Sequence, residues 1–154
     1  MNGSSRFVVA THVLTVLAVK RGQRLSSEKL AWSLDTNPVV VRRLLGDLRD
    51  ADLVTSKRGP NGGFALARSP DDVTLADVYE AVELESLFVF HPNDPNEECP
   101  VGDNIQEVLT ETLEPAEVAL KDELEGVTVA DLSDRILDRS ATPDGEAENP
   151  GIGE

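Results

Sequence analysis

A chain of 154 residues, 40% of them hydrophobic, has room for one domain, or for a small domain with a dimerisation extension. Residues 1–20 lack the basic region and small-residue cleavage site of a leader, and the apolar stretch Phe7 to Val19 is too short and too interrupted to span a bilayer. Cys99 is the only cysteine, so no intrachain disulfide can form, and the expectation is a cytoplasmic protein with no membrane partner. The net charge of −15 is unevenly spread: residues 1–70 carry 11 Lys/Arg against 5 Asp/Glu, whereas residues 71–154 carry 3 against 24. A basic half can meet phosphates while an acidic half stays in solvent.

In chain order, Ser4 or Ser5 can cap a first helix running to about Lys20. Its apolar residues lie nearly all round it, so it should be buried on more than one side, and the second burial surface is expected to be another subunit. Gly22 breaks the pattern. Ser26 reads as the N-cap of a short helix over 27–34, with Glu28 favouring its dipole. Asp35-Thr36 is a turn. Asn37-Pro38 restarts the helix, Asn as cap and Pro at the first helical position. The third helix runs to about Ala51, with Val41, Leu44, Leu45 and Leu48 following the i, i+3, i+4, i+7 rule. Extended runs over 53–58 and 64–67 flank the turn Gly59-Pro60-Asn61-Gly62-Gly63, which predicts a β-hairpin.

Thr74-x-x-Asp77 approximates a capping box opening a fourth helix to about Glu83. A loop follows, then an acidic helical region over 103–125, interrupted at Pro115, with a narrow seam of Ala116, Ala119, Leu120 and Leu124 suited to helix pairing. Thr128-x-x-Asp131 caps a last helix to about Asp138. The expected organisation is a DNA-binding domain over 1–83, a linker over 84–102, dimerisation helices over 103–138 and a disordered acidic tail over 139–154.

Three short helices followed by a hairpin is the order of a winged helix-turn-helix. The expected fold is therefore mainly α with a small β-hairpin and a C-terminal dimerisation helix. At 100° per residue, the third helix shows Val39, Arg43 and Gly46 opposite its buried face, with Arg42 on the flank. Valine suits a thymine methyl, and arginine suits guanine or phosphate. Lys57, Arg58 and Asn61 beside the glycines suit a tip entering a minor groove. The candidate DNA-contacting residues are Ser26, Asn37, Val39, Arg42, Arg43, Lys57, Arg58, Asn61, Gly62 and Gly63.

The runs Thr36-Asn37-Pro38-Val39-Val40-Val41-Arg42-Arg43, Ala51-Asp52-Leu53-Val54 and Arg58-Gly59-Pro60-Asn61-Gly62-Gly63-Phe64-Ala65-Leu66 resemble the Rrf-two family of bacterial transcription regulators. The resemblance covers roughly residues 4–138, and the wing motif is its most specific part. It implies a homodimer held by the first and C-terminal helices, repressing at promoter palindromes. It also implies that the third helix enters the major groove of double-stranded DNA and the wing the minor groove.

Two departures stand out. Asp52 occupies a position where similar sequences have glycine; aspartate tolerates a left-handed backbone better than most residues. The cluster-binding members carry three closely spaced cysteines, and this chain has one, which places it with the cluster-less branch and leaves no cofactor expected. Cys99 stands before a helix start that can lower its pKa, beside Glu97 and Glu98, which raise it; it reads either as a redox sensor or as an inert loop cysteine. His91 with Glu97, Glu98 and Cys99 has no recognised metal-ligand spacing. No Ser/His/Asp set, phosphate loop or dinucleotide fingerprint is present, so an enzyme is not expected. A winged-helix module binding only proteins, its acidic half repelling DNA, is the alternative to a DNA-binding regulator.

Overall fold

The computed structural model describes residues 3–82 and 86–141. Among them the chain forms six α-helices and one two-stranded antiparallel sheet: α1 (Gly3–Val19), α2 (Ser27–Leu34), α3 (Pro38–Asp50), β1 (Val54–Lys57), β2 (Gly63–Leu66), α4 (Leu75–Val82), α5 (Pro100–Glu125) and α6 (Val129–Ala141). A short 3-10 turn, Pro70–Asp72, precedes α4.

The core is built from the periodic residues of the first three helices. Ala10, Val13, Leu14 and Leu17 of α1 meet Leu30 and Ala31 of α2 and Val41, Leu44, Leu45 and Leu48 of α3. Fully burying one such leucine or valine contributes about 1.5–3 kcal/mol, which fixes α3 by one face and leaves the other to solvent. The helix ends follow from local chemistry. Ser26 Oγ accepts from Lys29 N–H at 3.3 Å and Asn37 Oδ1 from Val39 N–H at 2.9 Å, with Pro38 opening α3.

Both α2 and α3 end in Schellman motifs. Thr36 N–H reaches Ala31 C=O at 3.0 Å and Asp35 N–H reaches Trp32 C=O at 3.2 Å; after α3, Leu53 N–H reaches Leu48 C=O at 2.9 Å and Asp52 N–H reaches Arg49 C=O at 3.0 Å. Each motif needs one left-handed residue, and aspartate supplies both, Asp35 at φ 50° and Asp52 at φ 56°.

β1 and β2 pair Val54 with Leu66 and Lys57 with Gly63. The hairpin is tied to the segment before α2 by two further bonds, Leu25 N–H to Phe64 C=O at 2.9 Å and Phe64 N–H to Leu25 C=O at 2.8 Å. At its tip Gly62 N–H returns to Gly59 C=O at 2.9 Å, with Pro60 second and Asn61 third at φ 64°, the pattern of a type II turn.

Several expectations are corrected. α1 begins at Gly3, so Ser4 and Ser5 both lie inside the helix and neither stands at its N-cap position. α5 starts at Pro100 and runs unbroken for 26 residues through Pro115. Proline there removes a single N–H from an exposed stretch, where water can satisfy the freed carbonyl, so the break does not occur. α6 extends through Ala141, which takes residues 139–141 out of the expected tail; the rest of that tail, and Glu83 to Glu85, lie outside the described residues.

α6 also returns to the N-terminal part of the chain. The boxes Thr74/Asp77 and Thr128/Asp131 each exchange reciprocal cap bonds of 2.9–3.1 Å. Thr74 and Thr128 form an antiparallel bridge, with Leu75 N–H on Val127 C=O at 2.8 Å and Val129 N–H on Val73 C=O at 2.9 Å. This joint lays α6 along α1 with Val129, Ala130 and Ser133 buried. Part of the second burial surface of α1 is therefore supplied by its own chain.

Candidate nucleic-acid interface

The outer face of α3 and the hairpin carry all the DNA-contacting candidates singled out from sequence except Ser26, which caps α2. Val39 is 53% exposed although apolar, and Arg42 and Arg43 are exposed beside it. A Cβ built on Gly46 meets nothing within 4 Å, so this glycine leaves open space along the face and is not demanded by packing. Lys57, Arg58 and Asn61 are exposed at the wing. Among the described residues, Arg43, Lys57 and Arg58 form no ion pair. Three unpaired cations on two neighbouring elements make a surface suited to a polyanion.

Not every predicted residue is free to touch a ligand. The side-chain oxygens of Ser26 and Asn37 are committed to helix caps. Gly62 and Gly63 have steric duties: a Cβ on Gly62 would lie 2.3 Å from Lys57 O, and one on Gly63, at φ 124°, would lie 2.7 Å from Leu25 O. Gly63 C=O also accepts from Arg24 Nη1 at 3.3 Å. These glycines shape the wing and anchor its base.

Arg42 is engaged. Its Nε donates to the Oγ of buried Ser27 at 3.0 Å and its Nη2 donates to the Glu28 carboxylate. Ser27 Oγ donates in turn to Glu28 Oε2 at 3.2 Å. The backbone N–H at the start of α2 holds the Glu28 carboxyl below the usual carboxylate range; desolvation opposes it, and the bonds from Ser27 and Arg42 add to the lowering. Elsewhere Arg6 of α1 pairs with Asp47 of α3, removing one negative charge from the helix that carries Arg43. Sequence reasoning missed both partnerships. Glu28 and Arg42 stand 14 positions apart, and only the angle between α2 and α3 brings them together.

The seam predicted on α5 is divided in the structure: Ala116 and Ala119 are exposed, whereas Leu120 and Leu124 are half-buried on a helix that touches α4. No residue of α5 is fully buried. Cys99 is exposed at the cap of α5.

The profile of the Rrf2 family, described as an iron-dependent transcriptional regulator, matches residues 3–135. YwnA of Bacillus subtilis (strain 168), named as an HTH-type transcriptional regulator, is 41% identical over 135 residues, covering 87% of this chain and 98% of its own. The HTH-type transcriptional regulator IscR of Cereibacter sphaeroides is 32% identical over 92 residues, 59% of either chain. A solved structure named as a transcriptional regulator of Lactobacillus plantarum superposes with a TM-score of 0.72 at 29% identity, covering 86% of this chain and 89% of that one. CymR, named the global cysteine regulator of B. subtilis, has a TM-score of 0.66 at 24% identity over 88% of this chain and 98% of its own, which speaks for the fold alone.

The iron in the family's description finds no matching donor set. A protein-bound iron–sulfur cluster takes several thiolates, and Cys99 is the sole cysteine. Among the described residues no three His, Cys, Asp or Glu side chains converge to hold a metal ion. No helix of the described residues is long and apolar enough to cross a membrane. A winged helix-turn-helix with unpaired cations on α3 and on the wing, matched by a family profile over most of its length, settles the class: the chain belongs to the Rrf2 family of helix-turn-helix transcriptional regulators and is not an enzyme.

Proposed function

We propose that this regulator acts as a homodimeric repressor in the cytoplasm, binding a palindromic operator with α3 in the major groove and the wing in the minor groove. The observation that carries the reading is the exposed surface of Val39 and Arg43 on α3, continued by Lys57 and Arg58 on the wing. Apolar side chains bury the opposite side of α3, so this face alone is available, and the helix's acids Asp47 and Asp50 are each paired with an arginine, Arg6 and Arg49.

Dimerisation is supported by what the single chain leaves uncovered. α5 has no buried residue along 26 positions, and Val101 and Val108, seven apart, are exposed. A groove of about 1130 Å³ runs between α1, α2 and α6, with Val8, Ile136 and an 86%-exposed Trp32 open to solvent. Lys29, Arg135 and Arg139 line it, whereas α5 carries eight Asp/Glu and one Lys. An acidic, half-apolar helix from a second copy complements that groove in both charge and hydrophobicity. Redox response through Cys99 forms part of the same proposal, because the thiol is exposed at the start of this helix.

The test begins with duplexes selected by the wild-type protein from a randomised library. Their affinity should fall with salt at a log–log slope of about −0.9 per phosphate neutralised. Arg43→Ala should cost about 1–3 kcal/mol on the selected duplex and relax one base position, whereas Lys57→Ala should weaken all duplexes alike. No selectable sequence and a flat salt response would sink the proposal. Equal losses on selected and random DNA for both variants would remove Arg43 as a base reader.

A further inference from the structure

Two arginines stand side by side in the N-terminal half of α3, and their side chains are in different states. Adjacent residues on a helix point about 100° apart, which turns Arg42 toward the first turn of α2 and Arg43 away from it. Arg42 Nε donates a hydrogen bond to Ser27 Oγ at 3.0 Å and Nη2 donates to the Glu28 carboxylate, and Ser27 Oγ donates to Glu28 Oε2 at 3.2 Å. The three side chains thus close a ring. A guanidinium is planar with its donors in a rigid fork, so holding two of its nitrogens holds the whole group. Ser27 is buried, which gives the ring one fixed member, and the cap bond from Lys29 N–H to Ser26 Oγ secures the backbone carrying the other two.

We propose that Glu28 is a specificity-determining positioning residue: with Ser27 it pins Arg42 against α2 and cancels its charge, leaving base reading to Arg43. This inference rests on the DNA-binding role proposed above. An arginine free to swing onto phosphate strengthens binding to every sequence equally and carries no sequence information. An arginine whose charge is already matched adds little to that sequence-blind attraction. Leaving the ring would also expose the Glu28 carboxylate to the phosphates, so the carboxylate opposes the move as well as competing for the guanidinium. The ring therefore lowers affinity for random DNA more than affinity for the operator, where Arg43 and the wing supply the contacts. Discrimination is a difference of affinities, and a device that weakens the wrong complex serves it as well as one that strengthens the right complex.

The experiment uses the full chain, a duplex selected by the wild type and a random-sequence duplex, with salt titrations on each. Glu28→Gln keeps size and hydrogen-bonding capacity while removing the charge. It should raise affinity for random DNA roughly 3- to 10-fold and steepen the log–log salt slope by about 0.9, the signature of one added phosphate contact. The selected duplex should gain less, so the ratio between the two falls. The deciding arm repeats Glu28→Gln in an Arg42→Ala background, where the gain should vanish because Glu28 acts through Arg42. The same gain in both backgrounds would show a general loss of negative charge and overturn the proposal, as would an unchanged slope in the single variant. A wild type that selects a sequence but shows an additive cycle defeats the positioning role alone. A wild type that binds no duplex defeats the DNA-binding role and the positioning role together.

Discussion

Cys99 precedes α5 at its cap position, and the backbone N–H groups of Gly102 and then Val101 hold its thiol below the ordinary range against a small opposing desolvation. A depressed thiol pKa means more thiolate at neutral pH, the form that attacks oxidants and alkylating agents. The rise of iodoacetamide reactivity with pH should accordingly be centred below that of an unperturbed thiol, about 8.5. If this thiol carries the signal, diamide should weaken operator binding by wild type and leave Cys99→Ser indifferent; identical responses of the two proteins would make the cysteine structural. At Glu28 the sign is that of a depressed carboxylate. What its pairing contributes is present above the ordinary carboxylate range and is lost only as pH falls through its lowered value. Position in sequence was enough to flag Cys99 as a residue at a helix start. It was not enough to find the partner of Arg42, because a contact between side chains 14 residues apart depends on how two helices cross.

Helix boundaries were legible wherever a cap is a local event. Ser26, Asn37-Pro38, Thr74/Asp77 and Thr128/Asp131 each place an oxygen within three residues of the N–H it satisfies, so the pattern and the bond coincide. Asp52 was legible only through the family resemblance, whose members carry glycine at that place, and its φ of 56° agrees with a left-handed residue after α3. Left-handed backbone costs an L-residue free energy that glycine avoids, so Asp52→Gly should stabilise the fold by about 0.5–1 kcal/mol, seen as a thermal midpoint roughly 2–3 °C higher. Gly63→Ala should move the midpoint the other way, since its methyl group would press on Leu25 O. A lower midpoint for Asp52→Gly would mean that the carboxylate does something for α3 beyond ending it. Pro115 misled because a proline signal is read without knowing the surroundings; on an exposed helix one missing N–H is cheap enough to be tolerated.

Across the whole molecule the uncovered apolar surface determines what to test. Val108 is 53% exposed on α5 and packs into no core of its own chain. Val108→Asp should leave the thermal midpoint of the isolated chain nearly unchanged, yet give monomers by light scattering and lose operator binding with them. Dimers that persist in this variant would place the interface elsewhere. Length, charge asymmetry, helix periods, caps and the Gly-rich wing are all written within a few residues of where they act, and these by themselves determined the winged helix-turn-helix and its basic face. The return of α6 onto α1, the tether between Leu25 and Phe64, the steric duty of Gly63 and the capture of Arg42 by Glu28 join residues far apart in the chain. Only the tertiary structure decided them, because such contacts follow from the angles and distances at which whole elements pack, and no local period or spacing records these.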